Sequence, residues 1–94
     1  METLKTRILD NICYTDLVYD RINRKLGTHM SKPEIEEMLF AIVRDTDERH
    51  FQRIGKNIYV TCYNKNIRVT INSHTFRVIT VDPVTPPDGD QAAT

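Results

Sequence analysis

The sequence predicts an α+β domain in which N-terminal helices pack on a C-terminal antiparallel sheet. Two observations indicate this. Residues 3–43 carry apolar side chains three or four positions apart, which is helical spacing. Residues 58–81 instead alternate apolar and polar side chains in short runs separated by turn residues. Because the helical patterns come first, the expected architecture is two or three helices on a three- to four-stranded β-meander.

Three helical segments are predicted in the first half of the chain. Thr15 is expected to cap the second helix, and Gly27 to end it in a left-handed conformation. The third begins with Ser31-Lys32-Pro33-Glu34, a capping box in which serine and glutamate each bond a free backbone amide. The apolar stripes of the helices are Leu4, Ile8 and Ile12; then Val18, Ile22 and Leu26, with Leu17 beside them; then Ile35, Met38, Leu39, Ile42 and Val43.

The strand half is organised around the stretch Asn66 to Asp82. Ile67, Val69 and Ile71 alternate with polar residues, which predicts a half-buried strand. Asn72-Ser73-His74-Thr75 predicts a turn, because such side chains bond to nearby backbone groups. The next run carries apolar residues on both faces, so a central strand, or one packed on two sides, is expected. In this run Phe76, Val78 and Thr80 alternate with Arg77, Ile79 and Val81.

A further strand is predicted between the turn sequences Gly55-Lys56-Asn57 and Asn64-Lys65-Asn66. Its faces are Ile58, Val60 and Cys62 on one side and Tyr59, Thr61 and Tyr63 on the other. The apolar faces of helices and strands are expected to meet in one core, because a lone hairpin is not stable in water. The predicted members of that core are Ile35, Leu39, Ile42, Ile58, Ile67, Val69, Ile71 and Val78.

Length and composition predict one domain, residues 1–82, followed by a disordered, proline-rich tail, residues 83–94. The N-terminus has no apolar run typical of a signal peptide or membrane span, so a cytoplasmic protein without membrane contact is expected. Cys13 and Cys62 lack metal-binding spacing and are expected to be reduced, packed thiols. Neither a cofactor nor a metal is expected.

Charge is segregated along a chain whose net charge is zero. Residues 1–48 contain seven basic and ten acidic residues, residues 49–81 contain six basic and no acidic residues, and residues 82–94 contain three acidic residues. The predicted sheet is therefore basic, and a local field of this kind attracts acidic partners. We expect a non-enzymatic binding module whose basic sheet engages an acidic protein, a nucleoprotein or a nucleic acid.

The predicted binding residues lie in and beside the strands. They are Arg53, Lys56, Tyr59, Tyr63, Lys65, Arg68 and Arg77. Tyrosine rings among guanidinium groups would suit RNA or single strands. Arg68 is the central candidate, because its neighbours fix it on the polar face and no acid lies within the predicted strand pair. The opposite arrangement stays open: a one-residue register slip would pack the tyrosines under the helices, with the arginines paired to Glu36, Asp45 or Glu48.

A DNA-binding alternative follows from the order of elements. Two helices joined by a tight turn, a capped helix and the Gly55 hairpin resemble a winged helix-turn-helix, with residues 32–43 as recognition helix and Lys56 in the wing. Against this alternative, the recognition helix would turn Glu34, Glu36 and Glu37 towards phosphates.

A second alternative is metal-free RNA cleavage. His29, His50 and His74 are the only histidines, and His50 or His74 could act with Tyr63 as acid or base while arginines stabilise the phosphate. The order of helices and meander loosely resembles the mRNA-cleaving bacterial toxins. That fold usually begins with a strand, and none is predicted before Leu4.

The stretch Asn66 to Asp82, with Gly-Lys-Asn-Ile-Tyr-Val at 55–60 and Leu-Asp-Asn-Ile-Cys-Tyr-Thr-Asp-Leu-Val-Tyr at 9–19, resembles a family of small bacterial single-domain proteins known as a domain of unknown function. The most specific part is Thr-Ile-Asn-Ser-His-Thr-Phe-Arg-Val-Ile-Thr-Val-Asp at 70–82. The resemblance covers residues 8–82, implies a bacterial or phage source and a cytoplasmic location, and supplies no activity or catalytic residues to transfer. A specific form of the binding hypothesis is an anti-CRISPR-like inhibitor, carried by a phage or mobile element, that docks on a host nucleoprotein such as a defence nuclease.

Overall fold

The computed structural model describes residues 3–84, which contain three α-helices, one short 3-10 helix and four β-strands. The helices are α1 (Leu4–Asn11), α2 (Asp16–Leu26) and α3 (Lys32–Asp45), and the 3-10 helix spans Glu48–His50. The strands are β1 (Phe51–Ile54), β2 (Asn57–Cys62), β3 (Ile67–Asn72) and β4 (Val78–Pro83). The predicted α+β class, with N-terminal helices and C-terminal antiparallel strands, is confirmed.

The apolar side chains of the helices and of one sheet face form a single core. All eight predicted core residues belong to it, and Ile35, Leu39 and Ile71 are fully buried. We call this side of the sheet the covered face; its residues are Ile58, Val60, Cys62, Ile67, Val69, Ile71, Val78 and Val81. Strand alternation therefore sends every second side chain to the opposite side, which we call the polar face.

The predicted helix ends agree with the structure except for the side-chain cap at the start of α2. Ser31 and Glu34 form the capping box at the start of α3, and Gly27 ends α2 with a φ of 67°. Thr15 occupies the cap position of α2, but its side chain makes no capping hydrogen bond. Leu17, expected beside the apolar stripe, is instead 75% exposed.

The position predicted for the last strand is wrong in one respect. The strands follow the order β1-β2-β3-β4, so β4 lies at an edge and not in the centre. Its outer side is approached by α2, where Arg21 donates to the Ile79 carbonyl at 3.1 Å. A bulge also breaks the predicted alternation, because Thr80 pairs with Thr70 while Val78 pairs with Ile71. Ile79 is thus an extra residue between two ladder pairs.

A short clasp joins the α1–α2 connection to the segment before β4. The Cys13 amide donates to the Phe76 carbonyl at 3.0 Å, and the Val78 amide donates to the Cys13 carbonyl at 2.9 Å. Cys13 and Arg77 thereby form a one-residue parallel bridge. Phe76 adopts a φ of 59°, a left-handed conformation uncommon for an aromatic residue, and its ring is buried beneath the Arg7 guanidinium.

The sheet continues past the predicted domain end at residue 82. Pro83 belongs to β4, and the Val84 amide donates to the Asn66 carbonyl at 2.9 Å. Residues 85–94, which hold most of the predicted tail, lie outside the described residues. None of the helices within residues 3–84 is long and apolar enough to cross a membrane.

Candidate functional site

The polar face is a band of hydrogen-bonding side chains that crosses all four strands. Two rows of directly paired residues define it: Gln52, Tyr59, Thr70 and Thr80, and beside them Thr61, Arg68 and Asp82. Arg68 and Gln52 are exposed, whereas Thr61 and Thr70 are buried. Large polar side chains thus stand out from a floor of short threonines, an arrangement suited to contact with another molecule.

Arg68 is held in a fixed orientation on β3. Its Nε donates to the hydroxyl of Thr61, the directly paired residue on β2, at 3.2 Å. Within residues 3–84 it takes part in no ion pair. The remaining N–H groups of its guanidinium are therefore available for a bidentate contact with a carboxylate or a phosphate.

The expectation that no acid lies within the strand pair is wrong, because β4 extends to Pro83 and its register places Asp82 opposite Arg68. Paired residues on neighbouring strands are close enough to interact. Asp82 nevertheless bonds Lys25 on α2, with Nζ and Oδ1 2.6 Å apart. The carboxylate nearest to Arg68 in the register is therefore engaged by a different cation.

One end of the polar face is hollowed into a cavity of about 350 Å³, which we call the strand-end pocket. It is lined by Arg49, His50, Phe51, Gln52, Thr61, Tyr63 and Arg68. The 3-10 helix supplies the first two residues and β1 the next two, Thr61 belongs to β2, Tyr63 directly follows β2, and Arg68 belongs to β3. Two guanidinium groups from separate elements thus line one concave surface.

His50 and Tyr63 form one wall of this pocket. Their ring centroids are 5.0 Å apart and the rings are nearly perpendicular, at 85°. Edge-to-face packing of this kind stabilises both ring orientations. Tyr63 remains 38% exposed, so part of its ring is accessible to a ligand.

An acidic groove of about 430 Å³ lies on the other side of the His50–Tyr63 wall. Asp47 in this groove accepts from the Arg49 amide at 2.9 Å, which lowers the pKa of its carboxyl, and its Oδ1 is 3.5 Å from the Arg49 Nε. The pKa of Asp45 is lowered by two hydrogen bonds from Arg44. Both carboxylates are therefore negatively charged at neutral pH, and the groove is unsuited to an anion.

The structure brings only some of the predicted binding residues together. Tyr59 and Arg68 share the polar face, and Tyr63 lies at its end in the strand-end pocket. Lys65 is at the same end but lines the acidic groove. Arg53 pairs with Ile58 and so projects from the covered side of the sheet.

Lys56 and Arg77 are at the opposite end of the sheet. The Lys56 carbonyl accepts from the Ser73 amide at 2.7 Å, which brings the β1–β2 and β3–β4 turns together there. His74 is in the same turn region, as predicted from its sequence: the Asn72 side chain accepts from the His74 and Thr75 amides. These residues are separated from the strand-end pocket by the length of the strands.

The register settles which face carries Tyr59. It pairs with Thr70 on the face opposite the core and is not packed under the helices. The alternative partners of the arginines are otherwise engaged: Glu36 accepts from the Tyr19 hydroxyl and Asp45 pairs with Arg44. Within residues 3–84 no arginine of the strands pairs with Glu48.

Residues 3–84 contain no group of three or more His, Cys, Asp or Glu side chains arranged to hold a metal ion. Both cysteines are free thiols; Cys62 is buried, as expected, whereas Cys13 is exposed in the clasp and not packed. The side chains of the polar face can bind a partner through hydrogen bonds and charge.

Comparison with protein families identifies the chain. One family profile matches residues 6–82, from α1 to the penultimate residue of β4. The chain belongs to the DUF3781 family. That family is described as a protein of unknown function, in agreement with the resemblance noted in the sequence. No curated protein and no solved structure matches this DUF3781 chain.

Proposed function

We propose that this DUF3781 protein is a non-enzymatic binding module that holds an acidic partner against the polar face of its sheet. The observation that carries the proposal is the state of Arg68. Its Nε donates to Thr61, its guanidinium is in no ion pair within residues 3–84, and it is exposed. An arginine pre-oriented in this way loses little rotamer entropy when a partner binds.

The surrounding charge supports the same function. The six basic and no acidic residues of 49–81 give this half of the chain a positive field. Lys25 adds to the effect, because it engages Asp82, the acid that lies opposite Arg68. An acidic partner would therefore meet an unpaired cation at the strand-end pocket of the polar face.

The first test compares two arginines of the same sheet. Arg68→Gln should weaken binding of acidic probes, a single-stranded oligonucleotide and polyglutamate, by about tenfold or more, because hydrogen bonds to charged groups contribute roughly 1.5–3 kcal/mol. Arg53→Gln removes the same charge from the covered side and should change affinity little. Fluorescence anisotropy at two salt concentrations measures both variants.

Equal losses in the two variants would mean that net charge matters and the polar face does not. Failure of the wild-type protein to bind either probe would contradict the proposal. Both variants should keep the wild-type melting temperature, because exposed arginines outside ion pairs contribute little to stability.

RNA cleavage is a second candidate function, favoured by one observation. The structure brings His50 and Tyr63 together with Arg49 and Arg68 in one pocket, whereas His74 is at the far end of the sheet. A ribonuclease of this kind would cleave labelled RNA without metal, and His50→Gln would abolish cleavage while leaving RNA binding in place. If labelled RNA stays intact when it is incubated with the wild-type protein, the ribonuclease hypothesis is contradicted.

The winged-helix alternative gains no comparable support. Glu34 and Glu37 are exposed on α3, and the pKa of Glu34 is lowered by its hydrogen bonds with Ser31. A negative helix start would meet DNA phosphates unfavourably. The inhibitor of a host nucleoprotein stays a prediction that rests on size and charge alone.

A further inference from the structure

We infer that the strand-end pocket receives a phosphodiester group of a single-stranded nucleic acid, with a neighbouring base stacked on Tyr63. This inference rests on the proposed binding function and names the chemistry of its ligand. Four features of the pocket carry it: the paired guanidinium groups, the fixed aromatic wall, the neutral hydrogen-bonding floor and the size of the cavity.

The two guanidinium groups approach the pocket from different elements. Arg68 rises from β3, and Arg49 comes from the 3-10 helix before β1. Arg68 has no acidic partner within residues 3–84, and Arg49 shares its charge only with Asp47, at 3.5 Å and in exposed surroundings. A phosphate, with several oxygens around one centre, can accept from both at once, which a planar carboxylate does less readily.

The aromatic wall distinguishes nucleic acid from other anions. Tyr63 is 38% exposed while His50 holds its ring at nearly a right angle. Bases stack on such rings in single-strand binding proteins, where arginines track the backbone. A carboxylate contacts only the arginines, whereas a single nucleotide can contact the ring through its base and the arginines through its phosphate.

The remaining lining completes the match. Gln52 is a neutral hydrogen-bonding group, and the Thr61 hydroxyl positions Arg68. The carboxylates of Asp45 and Asp47 line the acidic groove beyond the His50–Tyr63 wall and not the pocket itself. A volume of about 350 Å³ is at the lower end of small-molecule sites and exceeds what one carboxylate would fill.

The experiment separates stacking from charge. Three probes are compared by anisotropy across a salt series: a uridine-rich RNA oligonucleotide, the DNA strand of matching sequence, and polyglutamate of similar charge. Tyr63→Leu should reduce oligonucleotide affinity about tenfold with an unchanged salt slope, because it removes a stacking surface and no charge. Arg49→Gln and Arg68→Gln should each lower the slope of log affinity against log salt by about 0.7.

Controls keep the outcome specific to the pocket. Arg53→Gln should leave the slope unchanged, because its side chain projects from the other side of the sheet. Tyr63→Phe should restore the affinity lost in Tyr63→Leu, since the ring returns without the hydroxyl. Polyglutamate binding should not respond to Tyr63→Leu. A preference for RNA and a preference for DNA would each support a phosphodiester ligand. Comparison of the two oligonucleotides would show which nucleic acid supplies it.

Three results would overturn the inference. If Tyr63→Leu binds oligonucleotides like the wild type, no base stacks there. If polyglutamate binds through Arg68 and neither oligonucleotide does, the pocket serves an acidic protein and only the proposed binding function survives. If none of the probes binds, both the proposed binding function and the inferred phosphodiester ligand are contradicted.

Discussion

The two faces of the sheet come from the same alternating strands, but one packs against the helices and the other is open to solvent. On the covered face Ile58, Val69 and Ile71 are fully buried against the helices. On the polar face the intervening positions carry Tyr59, Arg68 and a floor of threonines. The side chains of the covered face have to fill the core and bury apolar area, whereas the properties of the polar face depend on which of its charged groups form ion pairs. Stability should therefore depend on the first face and binding on the second.

Two neighbouring residues of β3 test whether the two faces have these separate roles. Ile71→Ala should lower the free energy of unfolding by about 2–5 kcal/mol, because it opens a cavity in a close-packed core. Thr70→Ala, one position away on the polar face, should cost about 1 kcal/mol, the span of the β-propensity scale, because Thr70 is buried but does not belong to the apolar core. Urea denaturation of both variants measures the difference. Similar losses at the two positions would show that the polar face is part of the core.

The Lys25–Asp82 pair tests whether charge pairing controls the polar face. Lys25→Met frees Asp82 to reach Arg68 directly across the strands, so acidic probes should bind several-fold more weakly. The change in stability should stay below about 1 kcal/mol, since both side chains are partly exposed to solvent.

Matched variants of this pair separate local pairing from overall charge. Arg24→Met removes an equal charge from α2 at an exposed position beside Lys25 and should have little effect. Adding Asp82→Asn to Lys25→Met should recover the lost affinity. Unchanged binding in Lys25→Met would show that Asp82 does not compete for Arg68.

The smallest expected effect lies in the helical layer, where Tyr14 and Tyr19 meet Glu36. Burial, helped by the charge of Glu36, raises the pKa of Tyr14 to about 12. Partial burial and the hydrogen bond to Glu36 likewise raise the pKa of Tyr19 to about 12. Both values exceed the ordinary 10.0, so their contribution to stability is complete below about pH 10 and is lost as the pH rises towards about 12.

Phenolate absorbance and urea denaturation across that pH range check this expectation. Tyr14→Phe and Tyr19→Phe should each remove one late-titrating phenol and make unfolding less sensitive to pH. An unchanged alkaline profile in both variants would mean that the Glu36 contacts do not persist in solution.

The fold was largely predictable because its signals are local. The capping box at Ser31, the left-handed Gly27 and the alternation in β3 each determine nearby backbone. The position of β4 was not predictable, because alternation shows which residues are buried but not the order of strands. The bulge at Ile79 leaves apolar residues on both alternating sides of this run, a pattern that equally predicts a strand packed on two sides.

The candidate site was predictable only in its chemistry. Basic and aromatic residues were identified, but their faces depend on register, which separates Arg53 from Arg68. Arg49 was counted among the basic residues of the second half without being assigned to the site. The 3-10 helix that brings Arg49 and His50 beside Tyr63 depends on the Asp47 cap. This cap can be recognised in the sequence, but it does not indicate which distant residues the helix contacts.

The clasp has a consequence for the kinetics of folding. It joins Cys13 to Phe76 and Val78, residues near opposite ends of the described chain, so its two backbone hydrogen bonds close a long loop. Loop closure costs chain entropy before any contact is gained, and contacts distant in sequence slow folding. The helices and hairpins rest on local contacts and need no such closure. The clasp is therefore expected to form late. In a nascent chain its two hydrogen bonds cannot form until nearly all of the family's segment has been synthesised.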